Sequence, residues 1–355
     1  MIRKTLPIHA NPGLETECYH NFRLSLLLAD AQREPWAWGH FVNLQLSCEA
    51  SFRFPLVRFE EHLDLYAPVL KEEPLPCEGR DCIAVIREAI MRDQYVVIYL
   101  NWKHIPGSNL YEQKDMVHDA IIYGFDDERK LLQMIAFEVE GRSYAPIHLS
   151  YELCRREFET ILQEELHAQQ WFAYYGFPLS AITVQNHRDM NFEASSLYFS
   201  LDRGKVGIQK GSVQMFANGY PVNEAMSDYF AQVAAGRELD PREYHFWNIV
   251  IVKMVQHKKW MLRRLHYLQA NNPSKLLQAC QRLYEKAKQQ LMQVRIDSFK
   301  YQKTGEIHYV RQLSEHFHLI YEQEKRAVPL LMEHLIQVRM SPWQTETNRT
   351  GEKGR

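Results

Sequence analysis

The hydrophobic pattern of the sequence changes in the middle of the chain, and this change limits the folds that the chain can adopt. Up to about residue 170, short runs rich in β-branched and aromatic residues alternate with helical patterns. From Pro221 onward, apolar residues recur at helical spacing through long segments. A chain of 355 residues with this division predicts an α+β N-terminal domain and a mainly α-helical C-terminal domain.

The same change in pattern places the domain boundaries. We expect residues 1–170 to form the mixed domain and residues 171–340 to form the helical domain. Residues 341–355 end in the polar sequence QTETNRTGEKGR, which cannot bury an apolar face. We therefore predict a disordered tail at 341–355.

Local signals in the first domain predict individual elements. Asp81 can cap a helix over DCIAVIREAIMR, and this helix leads into the strand-like run YVVIYLNW from Tyr95 to Trp102. The stretch from Met116 to Gly141 reads as two strands joined by a polar turn at residues 126–130, which predicts a β-hairpin. Ser150 is the expected N-cap of the next helix.

The charge and apolar content exclude several classes of protein. Lys and Arg number 42 against 44 Asp and Glu, a formal net charge of −2, so no overall field attracts nucleic acid or an anionic membrane. No apolar stretch has the length of a signal peptide or a membrane span. The sequence thus predicts a cytoplasmic protein that binds neither nucleic acid nor membrane.

The cysteines favour free thiols over disulfides or metal ligands. Six cysteines are scattered without regular spacing, and a reducing compartment keeps such thiols reduced. Cys77 and Cys82 are five residues apart, with no second pair of Cys or His at a matching distance. We therefore expect no metal site, and each thiol is available for chemistry.

Cys18 is the cysteine whose local sequence is most suggestive. Thr16 can cap a helix whose first residue is Glu17, so Cys18 falls in the first turn, where free N–H groups and the helix dipole favour an anion. Phe22 and Leu26 continue a stripe that begins at Cys18, so this face should point inward. The sequence allows two readings of Cys18, a buried small residue or a nucleophile held as a thiolate.

A cysteine nucleophile needs a histidine as its base, because a thiol at its ordinary pKa is mostly protonated at neutral pH. His118 is the best candidate, since it lies on the first strand of the predicted hairpin and shares a face with Ala120 and Ile122. We predict a catalytic dyad of Cys18 and His118. Other histidines, including His20, are expected to lie on the surface or in helix packing.

The segments ECYHNFRLSLLL and VHDAIIYGFDD resemble the N-terminal domain of the butirosin-biosynthesis acyltransferase family, a group related to bacteriocin-leader peptidases of the papain-like superfamily. The matching features are the cysteine at a helix start, the asparagine and leucines that follow it, and a histidine six residues before Gly-Phe-Asp. The match covers roughly residues 14–165. It implies a papain-like, cysteine-peptidase-type fold for the first domain.

The resemblance also implies an activity. An acyl group on the phosphopantetheine thioester of an acyl or peptidyl carrier protein would move to Cys18 and then to a small-molecule amine, in antibiotic or related specialised-metabolite biosynthesis. The protein itself would hold no cofactor. Two alternatives stay open: a thioesterase, amidase or peptidase with the same dyad, and an inactive scaffold of the same fold.

The sequence departs from the family where a third residue should orient the histidine. Related enzymes carry an aspartate or asparagine on the strand after the hairpin turn, and here LLQMIAFEV places Ala136 near that position. Gln133 is one substitute, and Asp119 should point to the opposite face from His118. Nearby carboxylates complete the set of candidates: Asp126 and Asp127.

Two further roles have candidates in the sequence. An oxyanion hole needs the Cys18 backbone N–H and one side-chain donor, which Asn11 or Asn21 could supply. The basic run from Lys253 to Gln269 is either a solvated helix face or a functional surface, and of the two functional interpretations, RNA binding and docking of the acidic carrier protein, we favour docking.

Overall fold

The computed structural model of the protein describes residues 2–49, 55–163, 178–185, 190–210, 214–237, 239 and 241–350. The chain divides into two compact units, and each is described by itself. The sheet unit comprises Met1–Glu34 and Leu63–Met190, and the helical unit comprises Pro35–His62 and Asn191–Arg355. With about 53% helix and a sheet domain beside a helical region, the molecule belongs to the α+β class that the sequence predicts.

The elements follow one another along the chain in a mixed order. The strands are β1 (Arg3–Thr5), β2 (Leu44–Glu49), β3 (Leu56–Phe59), β4 (Leu70–Pro74), β5 (Tyr95–Asn101), β6 (Val117–Asp126), β7 (Leu131–Val139), β8 (Arg142–Ser150), β9 (Leu179–Val184), β10 (Gln209–Lys210) and β11 (Gln214–Asn218). The helices are α1 (Cys18–Leu27), α2 (Glu34–Ala37), α3 (Cys82–Met91), α4 (Tyr151–Gln163), α5 (Ala194–Arg203), α6 (Pro221–Ala234), α7 (Pro241–Asn271), α8 (Lys275–Thr304) and α9 (Ile307–Thr350).

The sheet unit is built on an antiparallel sheet with the order β4-β9-β5-β6-β7-β8. β5 pairs with the first half of β6, from Val117 to Ile122, and β1 pairs with its end, from Gly124 to Asp126. All seven residues of β5 are buried, which explains why its sequence is a continuous apolar run. On one side of β6, β5 and β1 together pair with nearly its whole length. On the other side, β6 pairs with β7.

The elements predicted from local signals in this unit are confirmed. The Asp81 side chain accepts a hydrogen bond from the Ile83 N–H at 3.3 Å and so caps α3. β6 and β7 form the expected hairpin, with its turn at residues 127–130. Ser150 Oγ accepts from the Leu153 N–H at 3.2 Å at the start of α4. β8 was not predicted.

The helical unit packs four long helices, α6 to α9, with α5 and a small sheet of order β10-β11-β2-β3. Leu265, Leu331 and Leu335 belong to a buried cluster that joins α5, α7, α8 and α9. Ser274 caps α8, and Gly305 ends it in the left-handed conformation. Among the described residues, no helix combines the length and the apolar character that crossing a bilayer requires.

The compact units differ from the predicted domains in two places. β2 and β3 lie early in the sequence but pair with β11, for example Leu46 with Ala217, so residues 35–62 join the later unit. The expected boundary at residue 170 lies outside the described residues. α9 continues to Thr350, so a helix takes in most of the residues that we assigned to a disordered tail, and 351–355 lie outside the described residues.

Gly124 offers a test of how tightly β1 is held against β6. A Cβ at this position would lie 2.8 Å from the Lys4 carbonyl oxygen and 3.1 Å from Thr5 Cα. Gly124→Ala should therefore push β1 away and destabilise this edge by about 1–3 kcal/mol, the usual cost of overpacking. Amide hydrogen exchange in β1 and β6, read by mass spectrometry, measures the local loss of stability.

The matched control for this substitution is Gly207→Ala, because a Cβ there meets nothing within 4 Å. Its effect should stay within about 0.5 kcal/mol, as is usual for a surface change. Equal exchange in wild type and Gly124→Ala would contradict the close approach of β1.

Candidate functional site

Cys18 is the first residue of α1. Glu17 is the N-cap, with φ −135° and ψ 89° and no side-chain cap, so the prediction that Thr16 caps and Glu17 begins the helix was wrong by one residue. The Tyr19 backbone N–H donates to the Cys18 sulfur, as expected where the first N–H groups of a helix lack partners within it. Cys18 is only 8% exposed. The thiol thus lies inside the sheet unit at a helix N-terminus.

α1 is buried on all sides. The inward stripe expected from Cys18, Phe22 and Leu26 is present, but every residue from Cys18 to Leu27 is buried. Two of its polar side chains are bonded inside the unit: Arg23 pairs with Glu72, and Ser25 Oγ donates to the Asn21 carbonyl oxygen at 2.8 Å. Because α1 is buried on every face, the surrounding residues fix the direction of the helix and therefore the position of Cys18.

His118 and Asp119 stand together near the start of β6. His118 Nδ1 lies 2.6 Å from Asp119 Oδ1 and 3.4 Å from the Asp119 carbonyl oxygen. The imidazole also stacks on Phe137 of β7, with ring centroids 3.8 Å apart and planes 2° apart. Because two acceptors surround Nδ1, the proton of the neutral ring belongs on Nδ1, and Nε2 is left as the basic nitrogen.

The expectation that Asp119 points away from His118 was wrong. Successive Cβ atoms do alternate along a strand, but the imidazole folds back over its own strand and reaches the next side chain. The contact is close but poorly directed, since Asp119 Oδ1 accepts no well-formed hydrogen bond from any described residue. Asp119 is 3% exposed, so it places a carboxylate of low solvation beside the imidazole.

The structure brings Cys18, His118 and Asp119 into one cluster. A ring nitrogen of His118, the Cys18 sulfur and an Asp119 carboxylate oxygen all lie within 4.8 Å of one another. A thiol, an imidazole and a carboxylate in contact are the parts of a nucleophile, a base and a group that orients the base. The carboxylate that seemed to be missing from the sequence is supplied by the residue next to the histidine.

The electrostatics of Cys18 oppose the thiolate that the sequence suggested. Burial raises the pKa of the Cys18 thiol well above its ordinary value, and the charge of Asp119 raises it further. The Tyr19 N–H, the Arg23 charge and a hydrogen bond with Tyr144 lower the same pKa by less. The resting thiol is therefore protonated, and its proton must leave as the sulfur reacts.

Tyr144 is a site residue that the sequence analysis missed, because β8 was not predicted. Its hydroxyl hydrogen-bonds with the Cys18 sulfur, and its ring packs edge-on against Phe22 at 5.3 Å. Burial raises the pKa of the Tyr144 hydroxyl well above its ordinary value, so the group stays neutral and keeps a proton to donate. The ring centroid lies 6.4 Å from that of His118.

Gln133 and the turn carboxylates lie away from His118. Gln133 pairs with Gly124, six residues further along β6 than His118, and its Oε1 accepts from Thr5 Oγ1 at 2.7 Å. It cannot orient the imidazole from there. Asp126 accepts from backbone N–H groups of the hairpin turn, and Asp127 pairs with Arg87 and Tyr151.

The two predicted oxyanion donors have different surroundings. Asn11 is exposed, and its backbone N–H donates to His9 Nδ1 at 3.3 Å. Asn21 is completely buried one turn after Cys18, and neither side-chain polar atom has a hydrogen-bond partner among the described residues. The groups that do touch the sulfur are Tyr144 and the Tyr19 N–H.

His20, expected in packing or at the surface, is fully buried beside the site. Its Nδ1 lies 3.0 Å from the Tyr66 hydroxyl, and its Nε2 lies 3.7 Å from Glu17 Oε2. The Tyr19 hydroxyl also donates to Glu17. This network ties the N-cap residue to the first turn of α1 and so braces the segment that carries the thiol.

The basic run from Lys253 to Gln269 divides into buried and exposed cations: Lys253, Lys258 and Arg264 are buried, whereas Lys259 and Arg263 are exposed. Lys253 Nζ donates to the Val57 carbonyl oxygen at 2.8 Å, Lys258 pairs with Glu324, and Arg264 donates to the Trp38 carbonyl oxygen at 2.7 Å. These three cations are at most 7% exposed. They hold backbone carbonyls and a buried carboxylate of the helical unit, so their role is structural.

Other exposed cations of the helical unit line a groove. Arg282, Lys286 and Arg326 line a groove of about 760 Å³ between α8 and α9, with Leu283 and Leu330 among the lining residues. Glu285 lines the same groove, so its charges are mixed.

Comparison of the sequence with protein-family models and with curated proteins found no match. The resemblance drawn from the residues around Cys18 and His118 therefore has no support from a matching relative. What the chain does must be argued from the site itself. The features that carry this argument are the buried thiol, the paired imidazole and carboxylate, and the neutral tyrosine hydroxyl.

Asp119→Asn tests the electrostatics of the cluster, because it keeps the size of the side chain and removes its charge. Asp119 raises the pKa of the Cys18 thiol, so we expect this pKa to fall in the variant and alkylation by iodoacetamide to accelerate at a fixed pH. The measurement is the pH profile of Cys18 labelling, read by peptide mass spectrometry in both proteins.

Half-buried Cys77 is the internal reference for reagent concentration and should not change. In the wild type, Cys18 should titrate above the ordinary thiol pKa of about 8.5. A wild-type value well below this, or an unchanged profile in Asp119→Asn, would contradict the electrostatics described above.

Proposed function

We propose that the sheet unit is a papain-like domain that transfers acyl groups through a thioester on Cys18. The observation that carries this proposal is the contact among Cys18, His118 and Asp119 at the start of a buried helix. The acyl donor is the phosphopantetheine thioester of a carrier protein, and the acceptor is a small-molecule amine. These two assignments rest on the resemblance of the segments around Cys18 and His118 to the acyltransferase family.

The first step transfers the acyl group to the enzyme. His118 takes the proton from Cys18 as the sulfur attacks the thioester carbonyl carbon, so no free thiolate has to form beforehand. This matters because burial and Asp119 raise the pKa of the Cys18 thiol. The tetrahedral intermediate collapses with cleavage of the bond from carbon to the pantetheine sulfur. That sulfur receives the proton from His118, and the acyl group stays on Cys18.

The second step uses the same base. His118 accepts a proton from the amine as its nitrogen attacks the acyl-Cys18 carbonyl carbon, and the Cys18 sulfur leaves and recovers the proton. Asp119 orients the His118 imidazole in both steps, because its carboxylate lies 2.6 Å from Nδ1. The product is an amide, and the thiol is restored.

Tyr144 and the Tyr19 N–H are the donors for the oxyanion of each step. Both contact the Cys18 sulfur, so they lie next to the carbon that the sulfur attacks and the oxygen attached to it. A hydroxyl whose pKa is raised by burial does not ionise and so keeps its proton for donation. This assignment replaces Asn11 and Asn21 as the first choice.

Cys18→Ala tests the covalent mechanism. After incubation with an acyl-pantetheine thioester, intact-mass spectrometry should show one added acyl group on the wild type and none on Cys18→Ala. Cys82→Ala is a matched control, because Cys82 is also a buried first residue of a helix, and burial raises its pKa to about 12. Acylation of Cys18→Ala at the wild-type rate would refute the proposal.

The same preparation separates transfer from hydrolysis. If the protein is a transferase, acyl-Cys18 should persist in buffer and disappear when a simple primary alkylamine is added, faster than a small-molecule acyl thioester reacts with the same amine without the protein. Rapid loss of the acyl group without an amine would favour the thioesterase or peptidase reading, which uses the same three residues. No acylation of correctly folded wild-type protein by any thioester would favour the inactive scaffold.

Tyr144→Phe should slow acylation while leaving the fold intact, since it removes only the hydroxyl. Loss of one oxyanion donor costs about 10²–10³ in rate in well-studied enzymes. Because Tyr144 lowers the pKa of the Cys18 thiol, the variant should also raise this pKa and slow alkylation at a fixed pH. Acylation rates from stopped incubations and the labelling profile measure the two effects.

Asp119→Asn is the informative comparison for Tyr144→Phe. It should also slow acylation, because His118 loses its carboxylate, yet it should move the Cys18 pKa in the opposite direction. Acylation at the wild-type rate in Tyr144→Phe would remove the tyrosine from the mechanism.

A further inference from the structure

The three side chains of the candidate site are also three ligands that zinc prefers, namely a cysteine sulfur, a histidine nitrogen and an aspartate oxygen. They come from two elements that are fixed in the sheet unit, the start of α1 and the start of β6. We propose that Cys18, His118 and Asp119 form a binding site for a divalent cation of the zinc class, and that the cation blocks the thiol. This proposal rests on the cluster alone and goes beyond acyl transfer.

The charge of the cluster favours such a cation. With Cys18 deprotonated and His118 neutral, the thiolate and the Asp119 carboxylate carry two negative charges in a buried place. A divalent cation cancels both charges, whereas the proton of the resting thiol leaves the carboxylate uncompensated. The Arg23 charge lowers the pKa of the Cys18 thiol, but Arg23 is already paired with Glu72.

A second observation points to the same place independently. Asp119 Oδ1 is buried and accepts no well-formed hydrogen bond from any described residue, although His118 Nδ1 is only 2.6 Å away. A buried carboxylate oxygen without such a bond is costly, and a metal ion satisfies it. The oxygen belongs to the cluster that contains the thiol and the imidazole, so a cation there would use it as a ligand.

The geometry needs small side-chain movements. Zinc binds sulfur at about 2.3 Å and nitrogen or oxygen at about 2.0–2.2 Å, so tetrahedral ligand atoms lie about 3.3–3.8 Å apart. The present ligand atoms lie within 4.8 Å of one another, so they would move closer together around the cation. Three protein ligands leave one position for water, and the Tyr144 hydroxyl can donate to the bound sulfur.

Binding has a defined proton balance. The Cys18 thiol loses one proton, the sulfur forms a bond to the cation, and no oxidation takes place. Below the pKa of the thiol, the affinity should therefore rise about tenfold for each pH unit, because one proton competes with one cation. A bound cation holds the lone pair that attacks the acyl donor, so the cation acts as a reversible inhibitor of the proposed reaction.

Cobalt(II) is the probe for the test, because it takes zinc sites and reports a sulfur ligand by a charge-transfer absorption in the near ultraviolet. Metal-free, tag-free full-length protein is titrated with Co²⁺, and Zn²⁺ is then added to displace it. We expect one Co²⁺ per chain with a sulfur band that zinc abolishes. Cys82→Ala should keep the band, and Cys18→Ala should lose it.

Further variants separate this proposal from the proposed function. Asp119→Asn should weaken binding at least tenfold, while Tyr144→Phe should keep one cation per chain although it slows acylation. Absence of a sulfur band in the wild type, or an equal band in Cys18→Ala, would overturn the metal site. Neither result would bear on acylation, which intact-mass spectrometry measures without added metal.

Discussion

The candidate site depends on the central position of β6 in its sheet. β6 pairs with β5 over residues 117–122, which include His118 and Asp119, and its later residues pair with β1 on the same side and with β7 on the other. β7 also supplies Phe137, whose ring stacks on His118 and fixes the plane of the imidazole. The imidazole and the carboxylate lie on one strand, so the site is complete once the start of α1 places Cys18 next to them. The burial of every residue of α1 holds the helix in that position.

Desolvation decides the state of the thiol. A helix N-terminus stabilises an anion by about 0.3–1 kcal/mol, which corresponds to less than one pKa unit. Full burial of an ionisable group shifts its pKa by up to about 3–5 units in the opposite direction. The larger effect wins at Cys18, as it does at Cys82, which also begins a helix and whose pKa is raised to about 12. The difference between these two cysteines is the imidazole beside Cys18.

The sequence could predict the elements whose signals are local, and it failed where distant residues decide. Asp81 and the polar hairpin turn lie within a few residues of what they determine, and both predictions are confirmed. β8 was missed because Pro146 and polar residues hide its pattern, although Glu140 and Gly141 form a two-residue turn with positive φ. Because β8 was missed, the sequence analysis also missed Tyr144, which lies on it. The direction of Asp119 and the burial of Arg264 depend on side-chain rotation and on distant carbonyls, which periodicity does not reveal.

The net charge of the buried cluster connects the two proposals for the site, acyl transfer and cation binding. Transfer of the proton from Cys18 to His118 turns a thiol and an imidazole into a thiolate and an imidazolium, so the net charge of the buried cluster does not change. Loss of that proton to solvent would instead place a second negative charge beside Asp119, which the low solvation of both groups disfavours. A divalent cation is the other way to supply the missing positive charge. In both proposals a positive charge must balance the Cys18 thiolate: the proton on His118 allows the sulfur to react, whereas a bound cation would occupy the lone pair with which it attacks.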